Sequence, residues 1–234
     1  MKGGFHLATS TDLSLQLLGE FYPERAQGLI AALKTANSTH GRMNDWRETQ
    51  LRHFVEILIG SAFDLERAHA EKKISSLAWL ARNLLELSVW VQYCNLSPEN
   101  AKQFHDDAVR DMFGWAQAFH DLCIHREGKE DAKLAAKLVD LDNYASARGI
   151  APLADDFTRV SVAAKAVGCD ILFAKSNKIY SKFAHPTAWV VATTASEQAD
   201  KEFRELLFED GVNFAATSII QIRNEILRVF PEIQ

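Results

Sequence analysis

The segment Ala78-Trp-Leu-Ala-Arg-Asn-Leu-Leu-Glu-Leu-Ser-Val-Trp-Val-Gln-Tyr93 reads as a helix with little room for a solvent side. At about 100° per residue, Leu80, Leu84, Leu87 and Val91 share one face, and Ala78, Ala81, Leu85 and Val89 share another. A helix apolar on two faces has to be surrounded by other helices, so the rest of the chain must build a bundle around it. No window shows sustained period-two alternation, the mark of a half-buried strand. The expected fold class is therefore all-α, an antiparallel helical bundle of about eight to ten helices.

Helix boundaries follow from caps and breakers. Residues 1–22 are weakly patterned, with one short helix near Leu13 to Leu18, and read as a loosely packed N-terminal extension. A helix is predicted from Pro23 to Ala36, then a polar loop from Asn37 to Asn44. Asp45-Trp-Arg-Glu48 has the form of a capping box and opens a helix to about Ala70, with Leu51, Phe54, Val55, Leu58, Ala62 and Leu65 on one face. Further helices are predicted at Lys72 to Cys94, from Ser97-Pro98 to about Ile124, and at Ala132 to Ala147. Arg148 to Asp156 is an exposed connection, too short to separate domains. Later helices are predicted at Phe157 to Val167, Ile171 to Phe183, Pro186 to Ala195 and Lys201 to Val229, the last with a kink at Gly211. Residues 1–234 are expected to form a single helical domain.

Composition narrows the class of protein. With 47% hydrophobic and 24% charged residues the chain is ordinary globular material. Its net charge of −5 argues against a generally basic nucleic-acid-binding surface, though not against a local basic patch. Cys94, Cys123 and Cys169 lie far apart without a CxxC pair and read as buried free thiols of a reducing compartment. The start, MKGGFHLATSTDL, lacks the apolar stretch of a signal peptide, and no run approaches a membrane span. The expectation is a cytoplasmic protein with no membrane partner.

Two segments carry the candidate chemistry. Arg82 and Glu86 stack one turn apart between the apolar faces of the Ala78–Tyr93 helix, flanked by Trp79, Trp90 and Tyr93. A charged pair among aromatics needs further hydrogen bonds to offset its desolvation. It reads as an internal salt bridge, as the floor of a polar pocket, or as a surface pair. The pair is expected to be largely buried. In Asn177-Lys-Ile-Tyr-Ser-Lys-Phe-Ala-His-Pro186, the proline ends the preceding helix at His185 and starts another. His185 is then a ligand-binding or proton-accepting group, or simply a cap. Tyr180 or His185 is expected to hydrogen-bond Arg82 or Glu86. Lys175, Lys178 and Lys182 share one face of the same helix, with no acidic residue from Ile171 to His185, so they read as a phosphate-neutralising stripe or a solvated face.

Together, Arg82, Glu86, Tyr180, Ser181, His185 and Pro186 resemble a family of uncharacterised bacterial all-helical proteins that pair Arg-x-x-x-Glu with a later Tyr-Ser…His-Pro segment. That family is similar to the HEPN class, many of whose members are RNA-cleaving toxins or defence proteins. The resemblance implies an Arg-x(4–6)-His motif at a homodimer interface and an RNA substrate. In this chain no arginine lies four to six residues before His185; Lys178 is the nearest basic residue, and the literal match, Arg47-x5-His53, lies elsewhere.

No other chemistry is legible. Glu66-Arg-Ala-His69 lacks the second copy a di-iron bundle needs, and the His105-Asp106-Asp107 and His120-Asp121…His125 groups match no zinc or calcium spacing. There is no phosphate-cradling glycine loop or nucleophile elbow. No metal and no cofactor is expected. Three readings remain: a non-catalytic ligand- or partner-binding protein using Arg82, Glu86, Tyr180 and His185; a metal-independent ribonuclease or toxin of HEPN type, with His185 as acid or base and Tyr180, Arg82 or Lys178 stabilising phosphate charge; and a structural interaction protein. Lys175, Lys178, Lys182 and Ser181 are the candidate binding residues around that site.

Overall fold

The computed structural model describes residues 46–150, 158–185 and 197–229. Seven helices lie within them: α1 (Trp46–Ala70), α2 (Ile74–Leu96), α3 (Pro98–Glu127), α4 (Ala132–Ala147), α5 (Val160–Ala166), α6 (Asp170–Ala184) and α7 (Glu197–Val229). The described residues contain no strand, and the all-α class holds. The number is below the eight to ten expected. The helices expected near Leu13, at Pro23 to Ala36 and at Pro186 to Ala195 lie outside the described residues, as do the Asp45 cap and most of the Arg148 to Asp156 connection.

Local rules account for several of the boundaries. Ser97 caps α3, its Oγ accepting from the Asn100 N–H at 3.1 Å, with Pro98 following in the first turn. Asp131 caps α4 by accepting from the N–H groups of Lys133 and Leu134. α3 runs past Ile124 to Glu127 and closes on Gly128, whose left-handed backbone (φ 69°) is the conformation glycine adopts without a Cβ penalty. His125 and Arg126 suit that last turn, because cations there meet the negative end of the helix dipole.

α2 is the central helix. It packs against α1, α3, α5, α6 and α7, and Leu77, Ala78, Leu80, Ala81, Leu84, Leu85, Val89 and Val91 are all buried. Each fully buried leucine or valine contributes about 1.5–3 kcal/mol relative to an exposed one, so this one helix anchors the main core. α1 meets it with Leu51, Phe54, Val55, Leu58, Ala62 and Leu65, the face read from its periodicity. α7 continues unbroken through Gly211. The glycine serves a close approach: a Cβ there would lie 2.6 Å from Leu65 Cδ2 of α1. A second, smaller core joins the outer part of α3 to α4 through Val109, Ala116, Leu141, Ala145 and Ile150.

Candidate functional site

α6 buries Phe173, Tyr180 and Phe183 and packs against α2. The chain leaves the helix at His185 in an extended conformation (φ −117°, ψ 150°), the backbone that a following proline favours. This exit sets His185 beside the middle of α2. Its Nε2 lies 3.4 Å from Arg82 Nη1, and Arg82 Nε donates to Glu86 Oε1 at 3.1 Å. The expected link between the two segments is therefore present, carried by His185 and Arg82.

Two details differ from the sequence expectation. Arg82 and Glu86 are paired but not largely buried: each side chain keeps 30% of its surface exposed. The reason is a gap in their surroundings. Trp79 is exposed, while Trp90 meets Tyr93 edge-on and packs at a tilt against Phe104, so the described aromatics do not seal the pair. Of the two residues offered for that link, Tyr180 takes no part in it. At 1% exposure it sits in the main core, and its hydroxyl donates to Asp210 Oδ2 of α7 at 2.7 Å. Burial first, and then the Asp210 carboxylate, push its hydroxyl well above the ordinary tyrosine pKa. Ser181 bonds back to the Asn177 carbonyl at 2.6 Å within its own helix.

Lys175, Lys178 and Lys182 are exposed on the side of α6 opposite its buried face. The same register leads to His185, so the three lysines and the imidazole form one stripe ending at Arg82. At 1.5 Å per residue that stripe is about 15 Å long.

The deeply buried charges lie elsewhere. Arg47 of α1 donates to Glu225 Oε1 of α7 at 3.1 Å, to the Cys94 carbonyl at 3.1 Å and to Asn95 Oδ1 at 3.3 Å, and also bonds Gln50. Arg228 clamps the same carboxylate with two further bonds of 2.7 Å. Arg228 chiefly, together with Arg47, holds Glu225 below the ordinary carboxylate range against the opposing effect of burial. Of the residues of Arg47-x5-His53, Arg47 faces inward and His53 faces out. A shallow groove of about 410 Å³ opens beside Arg228, lined by Gln92, Asn95, Gln221 and Asn224.

Several of the other candidate ligands have close local neighbours. His69 lies 3.1 Å from Glu205 and stacks on Phe208; His120 lies 3.2 Å from Glu130; Asp107 bonds Arg110 and the Thr158 N–H. Among the described residues no three His, Cys, Asp or Glu side chains are grouped to hold a metal ion. Nor is any described helix long and apolar enough to cross a membrane. All three cysteines are free; Cys94 is buried, whereas Cys123 and Cys169 are only half-buried.

Asp210 and Glu225 were missed from the sequence, although a signal exists. Both share the helical face of Phe203, Leu207 and Phe214, and an acid on an apolar stripe needs a buried partner. No known protein family, characterised protein or solved structure matches the chain.

Proposed function

We propose that this chain is a non-catalytic binding protein whose Arg82–Glu86–His185 cluster receives an anionic group, a carboxylate or a phosphate, from a ligand or partner. The observation that carries the reading is the contact of Arg82 Nη1 with His185 Nε2 at 3.4 Å. A guanidinium can only donate, so this reading has Nε2 accept and Nδ1 carry the ring proton. Glu86 meanwhile fixes the guanidinium through Nε. The remaining guanidinium N–H groups and the imidazole Nδ1–H are donors suited to an anion, and charge-assisted bonds of that kind are the strong ones. The same reading takes the protein to be cytoplasmic, a single domain folded as an antiparallel bundle.

The case against catalysis rests on two contacts. His185 Nε2 is already engaged by Arg82, and the Tyr180 hydroxyl is buried against Asp210. Neither is offered to a substrate. A second reading, the metal-independent ribonuclease of HEPN type, is favoured by the stripe of Lys175, Lys178 and Lys182 leading to His185, which is laid out for successive phosphates. A cleavage assay on single-stranded RNA in a chelator separates the two. The binding reading expects no cleavage by wild type or His185→Ala. Cleavage by wild type that disappears in His185→Ala would replace it with the nuclease reading.

A further inference from the structure

α3 has thirty residues, and among the described residues it reaches the main core through Ala101 and Phe104 of its first turns. Its outer part packs on α4 with Val109, Phe113 and Ala116. Rotated about 100° from that contact, Met112, Trp115, Phe119 and Leu122 leave 46%, 65%, 46% and 40% of their surface exposed. The Trp115 and Phe119 rings stack with centroids 5.7 Å apart. The intervals of three, four and three residues are those of a coiled-coil seam.

We propose that two copies of this chain dimerise by antiparallel packing of α3 on α3 through this seam, turning two α3–α4 hairpins into a four-helix arrangement. The spacing is symmetric about its midpoint, as a two-fold contact requires. Met112 faces Leu122 of the second copy, and Trp115 faces Phe119 of the second copy. The contact to α4 and the seam stand at the angle at which a helix meets two neighbours in a four-helix bundle. Charge selects the direction. Antiparallel pairing sets the exposed Asp111 within a turn of the exposed His125 and Arg126 of the second copy, while parallel pairing sets Asp111 against Asp111 and Arg126 against Arg126. Ala108 lies level with Arg126 of the second copy and leaves room for its stem, and Ala118 permits close approach at the centre.

The area sets the class of interface. The four side chains present on the order of 400 Å² per copy, about half of what each partner brings to a standard stable interface. The flanking alanines and the Arg126 stem add to this, so the dimer should dissociate in roughly the micromolar range.

Sedimentation velocity of the full chain across a concentration series tests the proposal. Wild type should pass from monomer to dimer. Trp115→Glu should raise the dissociation constant by about 30-fold or more, with an unchanged circular dichroism spectrum, since the side chain is exposed. Asp111→Arg should weaken the dimer, and Asp111→Arg combined with Arg126→Asp should restore it. A wild type that stays monomeric at about 100 μM would overturn the proposal, as would a dimer indifferent to Trp115→Glu. Failure of the charge swap to restore pairing would overturn the antiparallel arrangement.

Discussion

Arg47 of α1 and Glu225 of α7, 178 residues apart in sequence, meet at 3.1 Å as a buried ion pair. The pair ties two long helices together beside the C-terminal end of α2, whose Cys94 carbonyl accepts another bond from the same guanidinium. Removing one partner leaves a buried charge uncompensated. Glu225→Gln should therefore destabilise the fold by about 2–4 kcal/mol in denaturant titrations, and Arg47→Met/Glu225→Leu together by less than the single change.

The same carboxylate sets an acid limb. Glu225 is held below its ordinary range in the folded chain, so it binds its proton more readily when unfolded. Its contribution is fully present above about pH 4.3, the ordinary glutamate value, and is lost as pH falls through the lower folded value. Stability measured against pH should fall more steeply below that point in wild type than in Glu225→Gln.

Tyr180 works on the alkaline side. Its folded pKa is raised, so its contribution is present below the ordinary tyrosine value of about 10 and is lost as pH climbs past it toward the folded value. Tyr180→Phe should cost about 1–2 kcal/mol at neutral pH by leaving Asp210 without its donor. The variant should also lose stability less steeply above that value than wild type does.

At Gly211 helix propensity and packing oppose one another. Alanine would gain about 1 kcal/mol of propensity, but its Cβ meets the fully buried Leu65. Packing should win, with Gly211→Ala destabilising by about 1–2 kcal/mol net and Leu65→Val recovering part of the loss in the double variant.

The thiols should react in order of access. Burial pushes the Cys94 thiol up to about 12 and leaves it the most enclosed of the three. Alkylation of the native protein should modify Cys123 first and spare Cys94, whereas denaturation without reductant should expose three free thiols per chain.

These residues also show what a sequence can and cannot disclose. Periodicity is a local property, so the buried face of α1 and the two apolar faces of α2 were readable, as was the Ser97 cap. Gly211 stood out as a helix interruption, but its partner Leu65 belongs to another helix, so close packing was mistaken for a kink. The Arg82–Glu86 spacing disclosed a pair; its 30% exposure depends on how far neighbouring helices cover it, which spacing does not encode. Tyr180 was one of two residues expected to reach Arg82 or Glu86, and Asp210 became visible as its actual partner only with α7 in place.

Ring-nitrogen NMR of His185 during titration with inorganic phosphate tests whether Arg82 and His185 jointly present donors to an anion. In the free protein the account predicts the Nδ1–H tautomer, since Nε2 accepts from Arg82. Phosphate should shift the Nδ1 resonance saturably in the millimolar range (about −4 kcal/mol), and Arg82→Met should remove both the tautomer preference and the response. A ring carrying its proton on Nε2, or a phosphate response identical in wild type and Arg82→Met, would contradict the account.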